Sequence, residues 1–139
     1  MAASAPFIVF DDCNLDEAVS AAIICKFRGS GQTCICANRI YVQEGVYTEF
    51  TSRLAEKVAG FQVGNGLDSD TTHGPLIHTC AVQKVIRHIE DAVSKGASIL
   101  VASKHIGDPN TSFFAPTVLF NVSPTALLHT EETFVRSLP

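Results

Sequence analysis

Short apolar runs of strand length alternate along this chain with longer stretches whose apolar residues recur at helical spacing, which confines the fold to layered α/β arrangements. Ala5 to Phe10, centred on Ile8 and Val9 and closed by Asp11 and Asp12, reads as a buried strand of a parallel sheet. Asn14 then caps a helix, with Glu17 able to reach back to it, and Leu15, Val19, Ala22, Ile23 and Phe27 repeat on one face. Gly29 and Gly31 end that helix. Arg39 to Gln43 reads as a second strand, and Tyr47, Phe50, Leu54, Val58 and Phe61 mark a second helix. After a turn at Gly64 to Gly66 and a polar loop from Asp68 to Pro75, Val82, Val85, Ile86, Ile89 and Val93 define a third helix closed by Gly96. Ser98 to Ala102 and Thr117 to Phe120 read as further strands, and Glu131 to Pro139 as a tail with no partner element. The order predicts an α/β fold: an open, mostly parallel sheet with flanking helices and right-handed crossovers.

Hydrophobic residues make up 46% of the 139 and the mean hydropathy is +0.21, more apolar material than a domain of this size hides by itself. The surplus predicts cover from elsewhere. A net charge of -4, with ten scattered Lys and Arg residues, offers no basic face for a nucleic acid. No apolar run approaches the roughly 18–20 residues that span a bilayer, and Phe7 to Phe10 is too short for a signal-peptide core. The reading is an intracellular protein away from membranes. Five cysteines, at 13, 25, 34, 36 and 80, lack the spacing of a disulfide framework and suit a reducing compartment. Cys13, Cys25 and Cys80 read as packing residues. No metal site is expected, since His73 and His78 stand five apart without further regular ligands and Cys34 with Cys36 is C-x-C.

The stretch from Arg28 to Arg39 carries the chemistry. It sets the Cys34 thiol on a glycine-rich turn between a helix and a strand. Glycines before the thiol remove side-chain bulk, so a substrate can reach the sulfur and backbone N–H groups can face developing negative charge. Such a site suits attack on a carbonyl.

The pattern F-x-x-x-G-Q-x-C, here Phe27, Gly31, Gln32 and Cys34, resembles the nucleophile motif of aldehyde dehydrogenases. Ala5 to Asp12, Ala37 to Gln43, Gly74 to Ile77, Phe114 to Thr117 and Glu131 to Phe134 resemble further catalytic-domain segments of that family, in order. Cys34 with Cys36, after Lys26, Phe27 and Arg28, is most similar to the succinate-semialdehyde branch. The resemblance runs from about residue 5 to about residue 134 and implies a partial catalytic domain. Cys34 is then the nucleophile: its thiolate adds to the aldehyde, the tetrahedral alkoxide releases hydride to NAD or NADP, and water cleaves the thioester. Arg28 is implied to hold the far carboxylate of the substrate. Cys36 is implied to be a redox switch that pairs with Cys34. Glu132 and Phe134 are implied to bind the cofactor, at its ribose and beside its ring. The full-length relatives are implied to be homo-oligomers acting on a small-molecule aldehyde, mitochondrial or cytoplasmic.

Departures temper these implications. Gly29 stands where the family commonly has asparagine, which predicts a looser turn, and Val135 and Arg136 replace the usual Gly and Pro. The 139 residues read as truncated at both ends, without the general-base glutamate or the cofactor-binding domain. The chain alone is expected to bind no cofactor, to be inactive and to dissolve poorly. Alternatives stay open: a Cys-His hydrolase built on Cys34 and a histidine, or a non-catalytic product that associates with full-length subunits. Arg28 can also serve as a cap of the preceding helix, and Glu131 with Glu132 as a solvated pair.

Overall fold

The computed structural model describes residues 5–101, 104–108, 110–131, 133 and 137–138. Strand β1 (Ala5–Val9) leads to helix α1 (Leu15–Phe27), a tight 3-10 turn (Arg28–Gly31) and strand β2 (Ala37–Val42). Helices α2 (Glu44–Ala59) and α3 (Thr79–Ser94) follow, then β3 (Ser98–Val101), β4 (Thr117–Phe120), the short α4 (Leu127–Thr130) and β5 (Ser137–Leu138). β1 and β2 pair in parallel, with Phe7 opposite Ile40 and Val9 opposite Val42, so β1, α1 and β2 form one crossover unit. β4 pairs in parallel with β5 and antiparallel with β3. Among the described residues the β3–β4 connection carries no helix, as an antiparallel pair allows. β5 also approaches β2, which brings the two strand groups together.

Local chemistry explains the ends of α1. Asn14 is its N-cap, and Oδ1 accepts from the N–H groups of Asp16 at 3.1 Å and Glu17 at 3.4 Å. At the other end Arg28 is extended, and Gly29, Ser30 and Gly31 follow with φ of +59°, +62° and +73°. Three successive left-handed residues reverse the chain within one turn. Glycine and asparagine both tolerate that region, so Gly29 fits the conformation the turn requires.

Helices α1 and α2 cover one face of the β1–β2 pair. Val19, Ala22 and Phe27 of α1 and Phe50, Leu54 and Val58 of α2 are buried with Val9 beneath them. Arg53 of α2 bridges Asp16 of α1, at 2.6 Å, and Glu49. Pairs this exposed contribute little beyond orientation. A second core forms where Val82, Val85, Ile89 and Ala92 of α3 meet Phe114, Leu119 and Leu128.

Several expectations need correction. β1 is buried on one face only: Ile8 and Phe10 are 58% and 59% exposed, and Tyr41 of β2 opens to the same side. Both helices lie on the opposite face, so the two-residue alternation of a strand divides its side chains between core and surface. Cys25 and Cys80 are exposed and do not pack, whereas Cys13 lies against the α1–α2 core. The final segment is not partnerless, because β5 extends the β3–β4 ladder. Of the expected solvated pair, Glu132 lies outside the described residues, while Glu131 takes hydrogen bonds from Arg87 at 2.5 Å and His88 at 3.1 Å. Ala102, predicted to end β3, lies outside the described residues.

His88 anchors this last segment to α3. Its ring is fully buried, Nε2 faces Glu131 and Nδ1 meets the Thr133 hydroxyl at 2.6 Å. Burial lowers its pKa below the ordinary value, with Lys84 and Arg87 acting the same way and Glu131 opposing. The folded chain therefore takes up this proton at lower pH than the unfolded chain, and the resulting stability is present above roughly pH 6.5 and is lost on acidification. Glu131 and Asp91 are both held below the usual carboxylate range, mainly by hydrogen bonds from His88 and Lys95 respectively, so their contribution fades only in more acidic solution. The thermal midpoint should fall between pH 7.5 and pH 5.5, roughly one unit either side of the free imidazole pKa, and His88→Gln should flatten that slope in a calorimetric scan.

Candidate active site

The left-handed turn delivers the chain into residues 32–36, which carry both Cys34 and Cys36 into β2. Cys34 is exposed. Among the described residues its backbone N–H donates to no partner, so the amide is free to face an incoming oxygen beside the sulfur. An exposed thiol with an unengaged amide is what addition to a carbonyl requires.

The flanks of Cys34 are tied down. Gln32 Oε1 accepts from Ile77 N–H at 2.8 Å, which joins the turn to the segment leading into α3. Cys36 N–H donates to the Thr33 carbonyl at 3.2 Å, closing a turn over Cys34 and Ile35. Cys36 itself is 3% exposed, and its Sγ lies 3.4 Å from Thr33 Oγ1 and 3.6 Å from the Lys26 carbonyl. The two cysteines thus occupy different environments, one facing solvent and the other facing the end of α1.

Lys26 is completely buried, and its Nζ donates to Asn38 Oδ1 at 2.9 Å. Sequence reading named Lys26 only as part of the run before the turn and gave neither residue a role. A signal for Lys26 was present: it follows Val19 and Ala22 at helical spacing, on the stripe that faces the core. No local rule connects it with Asn38.

Arg28 is exposed and lines a cleft of about 520 Å³ with Phe27, Ser30, Phe61, Thr72 and His73. Cys34 is exposed and is not among the residues that line that cleft. Phe61 and His73 stack with ring centroids 4.2 Å apart, and Phe27 meets Phe61 edge-on at 5.4 Å. Glu132 and Phe134 lie outside the described residues, while Thr133 between them is buried and bonded to His88.

Four of the five histidines make hydrogen bonds elsewhere. His73 Nδ1 is 2.9 Å from Thr72 Oγ1, His78 caps α3, His88 is held as described, and His105 Nε2 donates to the Thr111 carbonyl at 2.7 Å. Among the described residues no hydrogen bond joins a histidine nitrogen to Cys34, so the geometry lends a Cys-His hydrolase no support. Among the described residues no helix is long and apolar enough to cross a membrane.

Comparison with known proteins agrees with this geometry. The model of the aldehyde dehydrogenase family matches residues 1–135. Glutarate-semialdehyde dehydrogenase of Pseudomonas putida is 58% identical over 131 residues, covering 94% of this chain and 27% of that protein. Succinate-semialdehyde dehydrogenase [NADP(+)] of Saccharomyces cerevisiae is 47% identical over 94% of this chain and 26% of its own length. The crystal structure of succinate-semialdehyde dehydrogenase from Burkholderia pseudomallei superposes with a TM-score of 0.93 at 47% identity, over all of this chain and 29% of that one. The chain spans little more than a quarter of the length of these relatives. With its fold and its sequence in agreement, the chain belongs to the aldehyde dehydrogenase family.

Proposed function

We propose that these residues are the nucleophile-bearing part of an enzyme that oxidises a semialdehyde, a short aldehyde with a carboxylate at its far end, to the diacid. The observation that carries this reading is the exposed Cys34 thiol on a turn whose own amide N–H is unengaged. Its thiolate adds to the aldehyde carbon; an S–C bond forms, and the carbonyl π pair moves onto oxygen. The Cys34 N–H stabilises that oxyanion, an effect on the order of 3 kcal/mol for one well-placed donor. NAD or NADP, when bound, accepts the hydride that leaves as the carbonyl re-forms. Water then cleaves the thioester and restores the thiol.

Arg28 supplies the charge for the substrate's far carboxylate, through the paired N–H groups of its guanidinium. Its exposure keeps it available, and a flexible side chain at the mouth of the turn can swing toward Cys34. Glu132 and Phe134 are the cofactor contacts in this reading. Their neighbours Glu131 and Thr133 are bonded to His88 of α3. In the assembled enzyme a homo-oligomer is the expected state. The 139 residues contain no glycine-rich pyrophosphate turn, so by themselves they are given the addition step without turnover.

4-Iodobutyrate tests the reading, since it places a carboxylate and an electrophilic carbon at the spacing found in succinate semialdehyde. Cys34 should displace iodide faster from this acid than from 4-iodobutyramide, read by peptide mass spectrometry. Arg28→Gln should remove most of that preference, roughly a fivefold to tenfold change for a lost charge-assisted contact of about 1–1.4 kcal/mol. Equal rates for acid and amide in the unaltered chain would contradict the assignment of Arg28, and an unlabelled Cys34 would contradict that of the nucleophile.

Cys36 completes the proposal as the resolving thiol. A Cys34–Cys36 disulfide requires Cys36 to leave Thr33 and the Lys26 carbonyl, because the two thiols begin in different environments. Mild oxidation with diamide should give a chain two hydrogens lighter in which Cys34 no longer labels; an unchanged mass would remove the switch from the account.

A further inference from the structure

The end of α1 holds a charged group that the chemistry above does not use. Lys26 has 0% of its surface exposed, yet it lies in the last turn of α1, eight residues before Cys34. A buried ammonium is costly unless its protons are taken up by acceptors, and Asn38 Oδ1 takes one at 2.9 Å. Asn38 is itself buried, at the start of β2. The bond therefore joins the last turn of one element to the first residues of the next, across the whole of residues 27–37.

The same residue holds the loop at a second point. The Lys26 carbonyl receives the Cys36 S–H at 3.6 Å, and Cys36 is tied to Thr33 through both its N–H and its Sγ. Cys34 lies between Thr33 and Cys36, so its place is fixed by a ring of contacts that closes on Lys26. A neutral, apolar side chain of similar length would fill the same space. It would leave Asn38 Oδ1 without this donor.

We propose that Lys26 is a positioning residue for the nucleophile turn: its ammonium clips α1 to β2 through Asn38 while its carbonyl seats Cys36, and together these set the direction in which Cys34 faces. The inference rests on the reading of Cys34 as the nucleophile, but its structural half is measurable without it. Lys26 thereby acts through the turn and not on the substrate.

The test uses the 139-residue chain with site-resolved alkylation. Iodoacetamide labels Cys36 and Cys80 in one reaction, and the exposed Cys80, in the first turn of α3, serves as internal reference. Lys26→Met should raise the Cys36-to-Cys80 labelling ratio about tenfold, and Lys26→Arg, which keeps a buried donor, should return most of the protection. The preference of Cys34 for 4-iodobutyrate over its amide should fall in Lys26→Met although Arg28 is untouched. Val85→Ala, a cavity in the other core, controls for general loosening and should leave both readouts near those of the unaltered chain. If Lys26→Met does not fold, Asn38→Leu breaks the same bond from the strand side and is read in the same way.

An unchanged Cys36 ratio in the variant, or an equal rise in Val85→Ala, overturns the proposal. If the unaltered chain shows no preference for the acid at Cys34, the substrate reading fails alone, and the Cys36 ratio still decides the role of Lys26.

Discussion

A buried ammonium donating to a buried amide oxygen is the contact on which the candidate site depends. Without such a tie, the three left-handed residues after α1 would be a flexible reversal, since two of them are glycines with wide conformational freedom. With it, the reversal has both ends fixed, at Lys26 and at Asn38, and the thiol between them is presented at a set place. The arrangement separates two needs that conflict. The nucleophile must be open to substrate, while the backbone that aims it must be rigid. Cys34 meets the first and buried Cys36, Lys26 and Asn38 meet the second.

Where the fold was readable from sequence, the signal was local. Asn14 followed by Asp16 and Glu17 marks the start of α1 because the side-chain oxygen satisfies amides within the same turn. The stripe Val82, Val85, Ile89 places α3 because one face of that helix meets one core. The exposure of Ile8 and Phe10 was not readable. A continuous apolar run looks the same whether helices cover one face of a strand or both, and only the tertiary placement of α1 and α2 decides between them. β5 escaped for another reason: two residues are too few to show any period, and their ladder partner lies in β4, well away in sequence.

The site shows the same division. Cys34 was legible as a motif, since glycines and a thiol at fixed spacing are a local statement. Its support was not, because Lys26 and Asn38 stand twelve residues apart and Gln32 reaches Ile77 from forty-five positions away. A lysine on a core-facing stripe does hint at a buried cation, but sequence alone supplies no acceptor for it. His88 is parallel: it lies on the apolar face of α3, and its partners Glu131 and Thr133 come from a segment expected to be loose. Long-range polar contacts were thus the part of this molecule that only its structure displays.

The account stands on one geometrical claim, that a held turn aims Cys34 at a carbon whose far carboxylate Arg28 can reach. A crystal structure of the chain carrying the four-carbon acid as a thioether on Cys34 examines it directly. The account predicts the carboxylate at about 2.7–2.9 Å from the Arg28 guanidinium, with the Lys26 to Asn38 bond intact. A carboxylate lying in solvent, without contact to Arg28, would contradict it.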